Sequence, residues 1–142
     1  MIVLDTNAVS EVLKPKPSGI VLEWLVAQSQ EFFITVITQA ELLLGVESLP
    51  AGKRKAALSA EVEKMFVEDF PGRILSFDQP SARMYSIIVR QRQAVGRPIA
   101  ILDAMIAAIA RSQNATVATR NTRDFDGCGV RVINPWMERK PV

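Results

Sequence analysis

Histidine is missing altogether from these 142 residues, and cysteine occurs once, as Cys128. Without histidine there is no Ser-His-Asp or Cys-His nucleophile, no imidazole general base and no histidine-ligated zinc. A single thiol excludes an internal disulfide and a cysteine-rich zinc site. No apolar run approaches the roughly 20 residues of a membrane span, and the N-terminus lacks the basic lead of a secretory signal. A cytoplasmic protein with no membrane segment is expected, folded as a single domain over residues 1–142. Hydrophobic residues make up 49% of the chain, which at this length supports a sizeable core. Chemistry is left to carboxylates, hydroxyls, amides, Lys and Arg. Carboxylates without histidine favour hard cations such as Mg²⁺ or Mn²⁺.

The net charge of +2 conceals an asymmetry. Residues 1–72 carry 6 Lys/Arg against 10 Asp/Glu, a net −4, whereas residues 73–142 carry 11 against 5, a net +6. The basic half is arginine-rich, with Arg83, Arg90, Arg92, Arg97, Arg111, Arg120, Arg123 and Arg131 among its cations. Guanidinium groups suit phosphate through their bidentate fork, so the pattern fits either a nucleic-acid or nucleotide partner or simply a solvated helix face.

The chain is organised around its opening stretch, Met1-Ile2-Val3-Leu4-Asp5-Thr6-Asn7. The apolar run reads as a strand buried on both faces of a parallel sheet. Asp5 then sits at the strand's carboxyl end, the edge where open α/β sheets bind ligands. Alternatively Asp5, Thr6 or Asn7 does no more than cap the following helix. That helix runs from Thr6 to about Leu13 and stops before Lys14-Pro15-Lys16-Pro17; Glu11 on it is expected to be exposed. Ser18 is placed as the cap of a second helix, Gly19 to about Ser29, in which Trp24 is a core or interface residue. Glu31 to Ile37 is aromatic and β-branched, the pattern of a second strand.

Thr38-Gln39-Ala40-Glu41 ahead of Leu42-Leu43-Leu44 has the spacing of a capping box. Glu41 is then either a structural cap or a second carboxylate at the edge that holds Asp5. A charged amphipathic helix spans Lys53 to about Phe70, a short strand Ile74–Phe77, and a helix Pro80 to about Val95. Gly96-Arg97-Pro98 breaks the chain before a small, apolar, mostly buried helix beginning at Ile99 and continuing through Ala110. Asp103 interrupts this apolar run. An unpaired buried carboxylate costs several kcal/mol, so Asp103 requires a cation, an arginine or a place at the helix's open end. Thr116–Thr119 reads as a fourth strand and Val130–Ile133 as a fifth, joined by a polar loop with Asn121 and Asp124. Thr119 and Asn121 either orient a water or only the turn; Asp124 is a loop cap or a fourth acid, and Cys128 is incidental to function. Strands alternating with helices give an α/β fold with a mostly parallel sheet.

Taken together, Ile2-Val3-Leu4-Asp5-Thr6-Asn7, Ala40-Glu41-Leu42, Leu102-Asp103-Ala104-Met105-Ile106-Ala107-Ala108-Ile109-Ala110, and Ala118-Thr119-Arg120-Asn121-Thr122-Arg123-Asp124-Phe125 with Val132-Ile133-Asn134-Pro135-Trp136 resemble the PIN-domain ribonucleases. Among these the chain is most similar to the VapC toxins of bacterial toxin-antitoxin pairs, in particular the FitB-like branch. The resemblance spans essentially the full length, with the blocks in order. It implies a Rossmann-like sheet of about five parallel strands flanked by helices, with Asp5, Glu41, Asp103 and Asp124 at its carboxyl edge. The first three would hold Mg²⁺ or Mn²⁺, and Thr6 with Thr119 or Asn121 would support the acids. It further implies an RNA substrate (tRNA or rRNA), a cognate antitoxin, a homodimer, and DNA bound only through the antitoxin. Two other classes stay open on the residues alone. A phosphatase or phosphoacceptor of the haloacid-dehalogenase or receiver kind also ends its first strand in Asp, but carries a second Asp where Asn7 stands. A non-catalytic PIN interaction module is the other.

Overall fold

The computed structural model describes residues 1–137, so the last five residues of the expected domain lie outside the described residues. In chain order the elements are β1 (Ile2–Leu4), α1 (Thr6–Val12), α2 (Gly19–Ala27), β2 (Phe32–Thr35), α3 (Val36–Glu47), α4 (Lys53–Glu68), β3 (Ile74–Leu75), α5 (Gln79–Ala94), α6 (Ile101–Ser112), β4 (Thr116–Ala118), a 3-10 turn (Thr122–Phe125) and β5 (Arg131–Ile133). The strands form one parallel five-stranded sheet in the order β3-β2-β1-β4-β5. Parallel neighbours need crossovers, and helices supply most of them. The chain builds outward from β1 through β2 to β3, then returns to the other side of β1 for β4 and β5. A doubly wound sheet opens a crevice at such a reversal, here between β1 and β4.

Side chains alternate across the sheet. Ile2 and Leu4 face a core that includes Trp24, Ile34, Val62 and Phe66. Val3 and Val117 face a second core with Ile88, Ile106, Ile109 and Phe125. Of the two places expected for Trp24, core or interface, the structure shows the core: it is 8% exposed and lies against Phe32 at 5.9 Å between ring centroids. In α6, Ala104, Ala107, Ala108 and Ala110 are fully buried. Their small side chains allow the helix to approach its neighbours closely, and dense packing of this kind is a main source of a core's stability.

Three local expectations are corrected. The second strand ends at Thr35 rather than Ile37, because the Thr35 hydroxyl caps α3 by accepting from Thr38 N at 3.2 Å; a β-branched run alone does not mark that switch. The expected mostly buried helix from Ile99 starts instead at Ile101, and Ile101 and Leu102 are 66% and 46% exposed. Burial begins only at Ala104, so Asp103 stands at the helix's open end. Glu11, expected on the surface, is 7% exposed. Its carboxylate accepts from Ser18 N at 3.1 Å and pairs with Lys14 at 2.6 Å. The proline turn between α1 and α2 is tied down by that acid, and the Lys14 hydrogen bond, ahead of the Ser18 amide, holds its pKa below the usual range. Ser18 occupies the N-cap of α2 but makes no side-chain cap bond.

Candidate metal centre and nuclease site

The register places the site. Leu4 pairs with Ala118 as the last β1–β4 couple, so Asp5 and Thr119 are the first residues past the paired ends. Asp5 N still donates to Ala118 O at 2.9 Å, which fixes the backbone under the carboxylate. The Asp5 side chain is 5% exposed and accepts three hydrogen bonds. Oδ1 takes Thr6 N at 2.8 Å, and Oδ2 takes the Thr119 hydroxyl at 2.8 Å and Asn7 Nδ2 at 3.2 Å. Asp5 is therefore the N-cap of α1, and its second carboxylate oxygen is bonded beyond that cap to Thr119 and Asn7.

Glu41 is no capping-box residue. Helix α3 begins five residues earlier, at Val36, and Thr38 lies inside it rather than at its cap. Glu41 Oε1 instead accepts from the Thr6 hydroxyl at 2.8 Å. Thr6 has one hydroxyl proton, so its 3.0 Å contact with the Thr38 hydroxyl is donated by Thr38. A relay Thr38 to Thr6 to Glu41 thus ties α1 to α3 and orients the second acid.

Thr119 is fully buried and is held on three sides. Its hydroxyl donates to Asp5 and accepts from Asn7 Nδ2 and Asn121 N, each at 3.1 Å. Asn121 acts through its backbone, which also accepts from Asp124 N at 3.0 Å. Asn7, read in the sequence as a candidate helix cap and as the residue that stands in place of a phosphatase's second Asp, is the hub. Besides its two donations, Asn7 Oδ1 accepts from Arg120 N at 3.2 Å, stitching the end of β1 to the loop after β4. A short amide two residues after a strand-end acid was the available signal.

Asp103 and Asp124 complete the acidic set. Asp103 makes no hydrogen bond or ion pair with another described residue. Desolvation by burial pushes its pKa up to about 6, reinforced by the charges of Asp5, Asp124 and Glu41 and opposed by Arg92. Burial likewise raises Asp5, although the Thr119 and Thr6 hydrogen bonds pull the other way. Asp124 is exposed on the 3-10 turn. The backbone of that turn is held by Arg92, a 6%-exposed guanidinium on α5. Arg92 donates through Nη1 to Asp124 O and Asp126 O, both at 2.9 Å, and through Nε to Arg97 O at 2.6 Å.

A divalent cation would suit this donor set in kind. Hard carboxylates from four separate segments lie close enough for their charges to act on Asp103, which has no partner among the described residues, and burial followed by that repulsion raises its pKa. That is the condition a cation relieves. Among the described residues no three His, Cys, Asp or Glu side chains are grouped so that they could together hold a metal ion. Mg²⁺ keeps several waters and takes one or two carboxylates, so the arrangement fits Mg²⁺ or Mn²⁺ and does not fit structural zinc.

A stability test follows. An acid whose folded pKa is raised contributes stability at low pH that is lost as pH rises through the folded value. Compared with Asp103→Asn, the cation-free wild type is expected to lose melting temperature between pH 3.8 and about 6. Mn²⁺ should recover that loss above pH 6 and do little at pH 4, as read by thermal melts. A wild-type melt insensitive to Mn²⁺ at pH 7 would remove the metal from this site.

Residues 2–128 match the model of the family described as PIN domain. The chain belongs to the PIN-domain family. This PIN domain is 43% identical over 137 residues to Toxin FitB of Neisseria gonorrhoeae, covering 96% of this chain and 99% of FitB. Against VapC ribonuclease Y4jK of Sinorhizobium fredii it is 40% identical over 137 residues, covering 96% and 98%. Its fold superposes on FitAB bound to an IR36 DNA fragment with a TM-score of 0.92 and 41% identity, covering 99% of each chain. The expected five-stranded parallel PIN fold and its VapC and FitB kinship are thus both borne out. Among the described residues no helix is long and apolar enough to cross a membrane.

Proposed function

We propose that this PIN domain is a metal-dependent endoribonuclease, the toxin of a toxin-antitoxin pair, hydrolysing phosphodiester bonds of tRNA or rRNA until a cognate antitoxin neutralises it. One observation carries the reading: Asp103 feels the charges of Asp5, Glu41 and Asp124, acids from three other segments, and has no partner among the described residues. A bound Mg²⁺ or Mn²⁺ would supply activation of water and neutralisation of phosphate charge. Asp5, Glu41 and Asp103 are the residues that would hold it. Thr6, Thr119 and Asn7 keep Asp5 and Glu41 oriented, and Arg92 holds the turn that presents Asp124.

Only part of the basic half is available to RNA. Arg92 and Arg111 are committed, the latter to Cys128 O at 3.5 Å, whereas Arg97, Arg120, Arg123 and Arg131 are exposed. For the antitoxin, the apolar helices around Trp24 and residues 42 to 70 are the docking surface the sequence suggests, and since Trp24 itself is core the apolar side chains around it must provide it. The exposed apolar side chains are Ile20, Leu22 and Val26 of α2, 54%, 37% and 88% exposed. A neighbouring groove is lined by Val12, Leu13 and Met65 with Glu61, Lys64, Glu68 and Asp69. FitB bears the name toxin and FitAB is known on DNA, which supports an antitoxin as the occupant and as the route to DNA. The exposed Leu44, Ile101 and Leu102, close in sequence to Glu41 and Asp103, support a homodimer.

The test is cleavage of a tRNA and rRNA fragment panel by antitoxin-free protein with Mn²⁺ or chelator. Discrete, Mn²⁺-dependent cuts leaving 5′-phosphate and 3′-hydroxyl ends are expected, because water attack needs no 2′-hydroxyl. Cuts that persist in chelator, or that leave 2′,3′-cyclic ends, would contradict the mechanism.

A further inference from the structure

In the loop after β4, at a residue whose main chain is bonded to Asn7, the chain sets a cation over an aromatic ring. Arg120 Cζ lies 5.3 Å from the centroid of the Trp136 ring. The ring is positioned by its own segment: Trp136 N donates to Asn134 Oδ1 at 3.0 Å, Pro135 is buried, and Trp136 packs against the first core. Arg120 is exposed, and its guanidinium makes no hydrogen bond or salt bridge to another described residue. Glu11 is the acid that feels its charge, and that carboxylate is already taken by Lys14 and Ser18 N. The main chain of Arg120 is nevertheless anchored in the site, through Arg120 N to Asn7 Oδ1 and from Asn7 Nδ2 to Asp5 Oδ2.

These facts distinguish Arg120 from its neighbours. Arg92 uses its donors on carbonyls, Arg111 reaches Cys128 O, and Arg97 approaches Asp126 at 3.8 Å. Arg120, set over the indole and exposed, offers a planar guanidinium to a ligand. Unpaired RNA bases stack on such planes, and their phosphates take the guanidinium donors. A duplex keeps its bases stacked on one another and offers no free face.

We infer that Arg120 and Trp136 form a stacking subsite for one unpaired RNA base flanking the phosphate that is cut. The subsite rests on the nuclease reading and adds to it a requirement for single-stranded substrate, imposed by the protein next to its acids.

Binding is measured in the Asp103→Asn background with Mn²⁺, using a mixed-sequence single-stranded RNA of about twelve nucleotides and its paired duplex. Loss of one stacked base corresponds to about tenfold in Kd. Trp136→Leu and Arg120→Lys should each weaken single-strand binding by about that factor and leave duplex binding unchanged. Trp136→Phe, which keeps a ring, should recover most of the loss. Because Lys retains the charge, the salt dependence of binding should not change in Arg120→Lys. Wild-type affinity in Arg120→Lys, or equal losses on single strand and duplex, would reduce Arg120 to a general charge and overturn the subsite. If the wild type cuts RNA but the platform variants bind and cut as it does, the subsite falls alone. Should the wild type cut nothing and Asp103→Asn bind nothing, the nuclease reading falls and takes the subsite with it.

Discussion

Asp103→Asn is expected to cleave RNA roughly 10³-fold more slowly than wild type while melting at the same temperature or higher in the absence of cations. The expected rate loss corresponds to about 4 kcal/mol of transition-state stabilisation, the scale that follows from the proposed metal-dependent mechanism. The stability gain arises because Asp103 is a liability in the folded chain. It has no hydrogen bond, and burial and three neighbouring acids push its pKa up to about 6. Asn removes that repulsion with little change in shape. Single-turnover cleavage and cation-free melts on the same preparation check both halves. A variant that loses activity together with stability would mark Asp103 as structural. One that keeps its activity would place the chemistry elsewhere.

Arg92→Met lowers folding stability by roughly 2–4 kcal/mol. Hydrogen bonds to a charged group contribute about 1.5–3 kcal/mol each, and Arg92 makes three to backbone carbonyls. The sum is reduced because the wild type buries a guanidinium that has no acid bonded to it, a cost the variant escapes. Met retains much of the buried stem, so the loss reports the head group. The damage is local first: hydrogen exchange should accelerate at Asp124, Asp126 and Cys128, whose amides close the turn. Arg92→Lys keeps the charge but not the fork and should fall between the two. Unchanged denaturant midpoints in Arg92→Met would show that the guanidinium does not hold this turn.

Near-neighbour pattern decided a good deal. The apolar run into Asp5, the alanine-rich stretch around Asp103 and the alternation of strands with helices were legible because strand and helix periods are written in adjacent residues. Element ends were less so. Thr35-Val36-Ile37 is β-branched throughout, and only the Thr35 cap shows where the strand stops. The capping-box reading of Glu41 failed for the same reason, since a spacing that fits a helix start does not say where the helix starts.

By itself the sequence determined which chemistry was open. With no histidine and one thiol, the acids, hydroxyls and arginines had to carry any reaction, and the strand-end Asp5 marked the sheet edge at which to look. Tertiary structure decided which side chains meet. Asn7 and Asp5 reach Thr119 across 112 and 114 residues of chain, and nothing local encodes those contacts; the β1–β4 register creates them. The packing of α5 and α6 on the loop after β4 likewise sets apart Arg92 and Arg111, which bond carbonyls there, from the exposed arginines. Burial determines that division, because a buried guanidinium must satisfy its donors within the protein, while an exposed one keeps them for a partner.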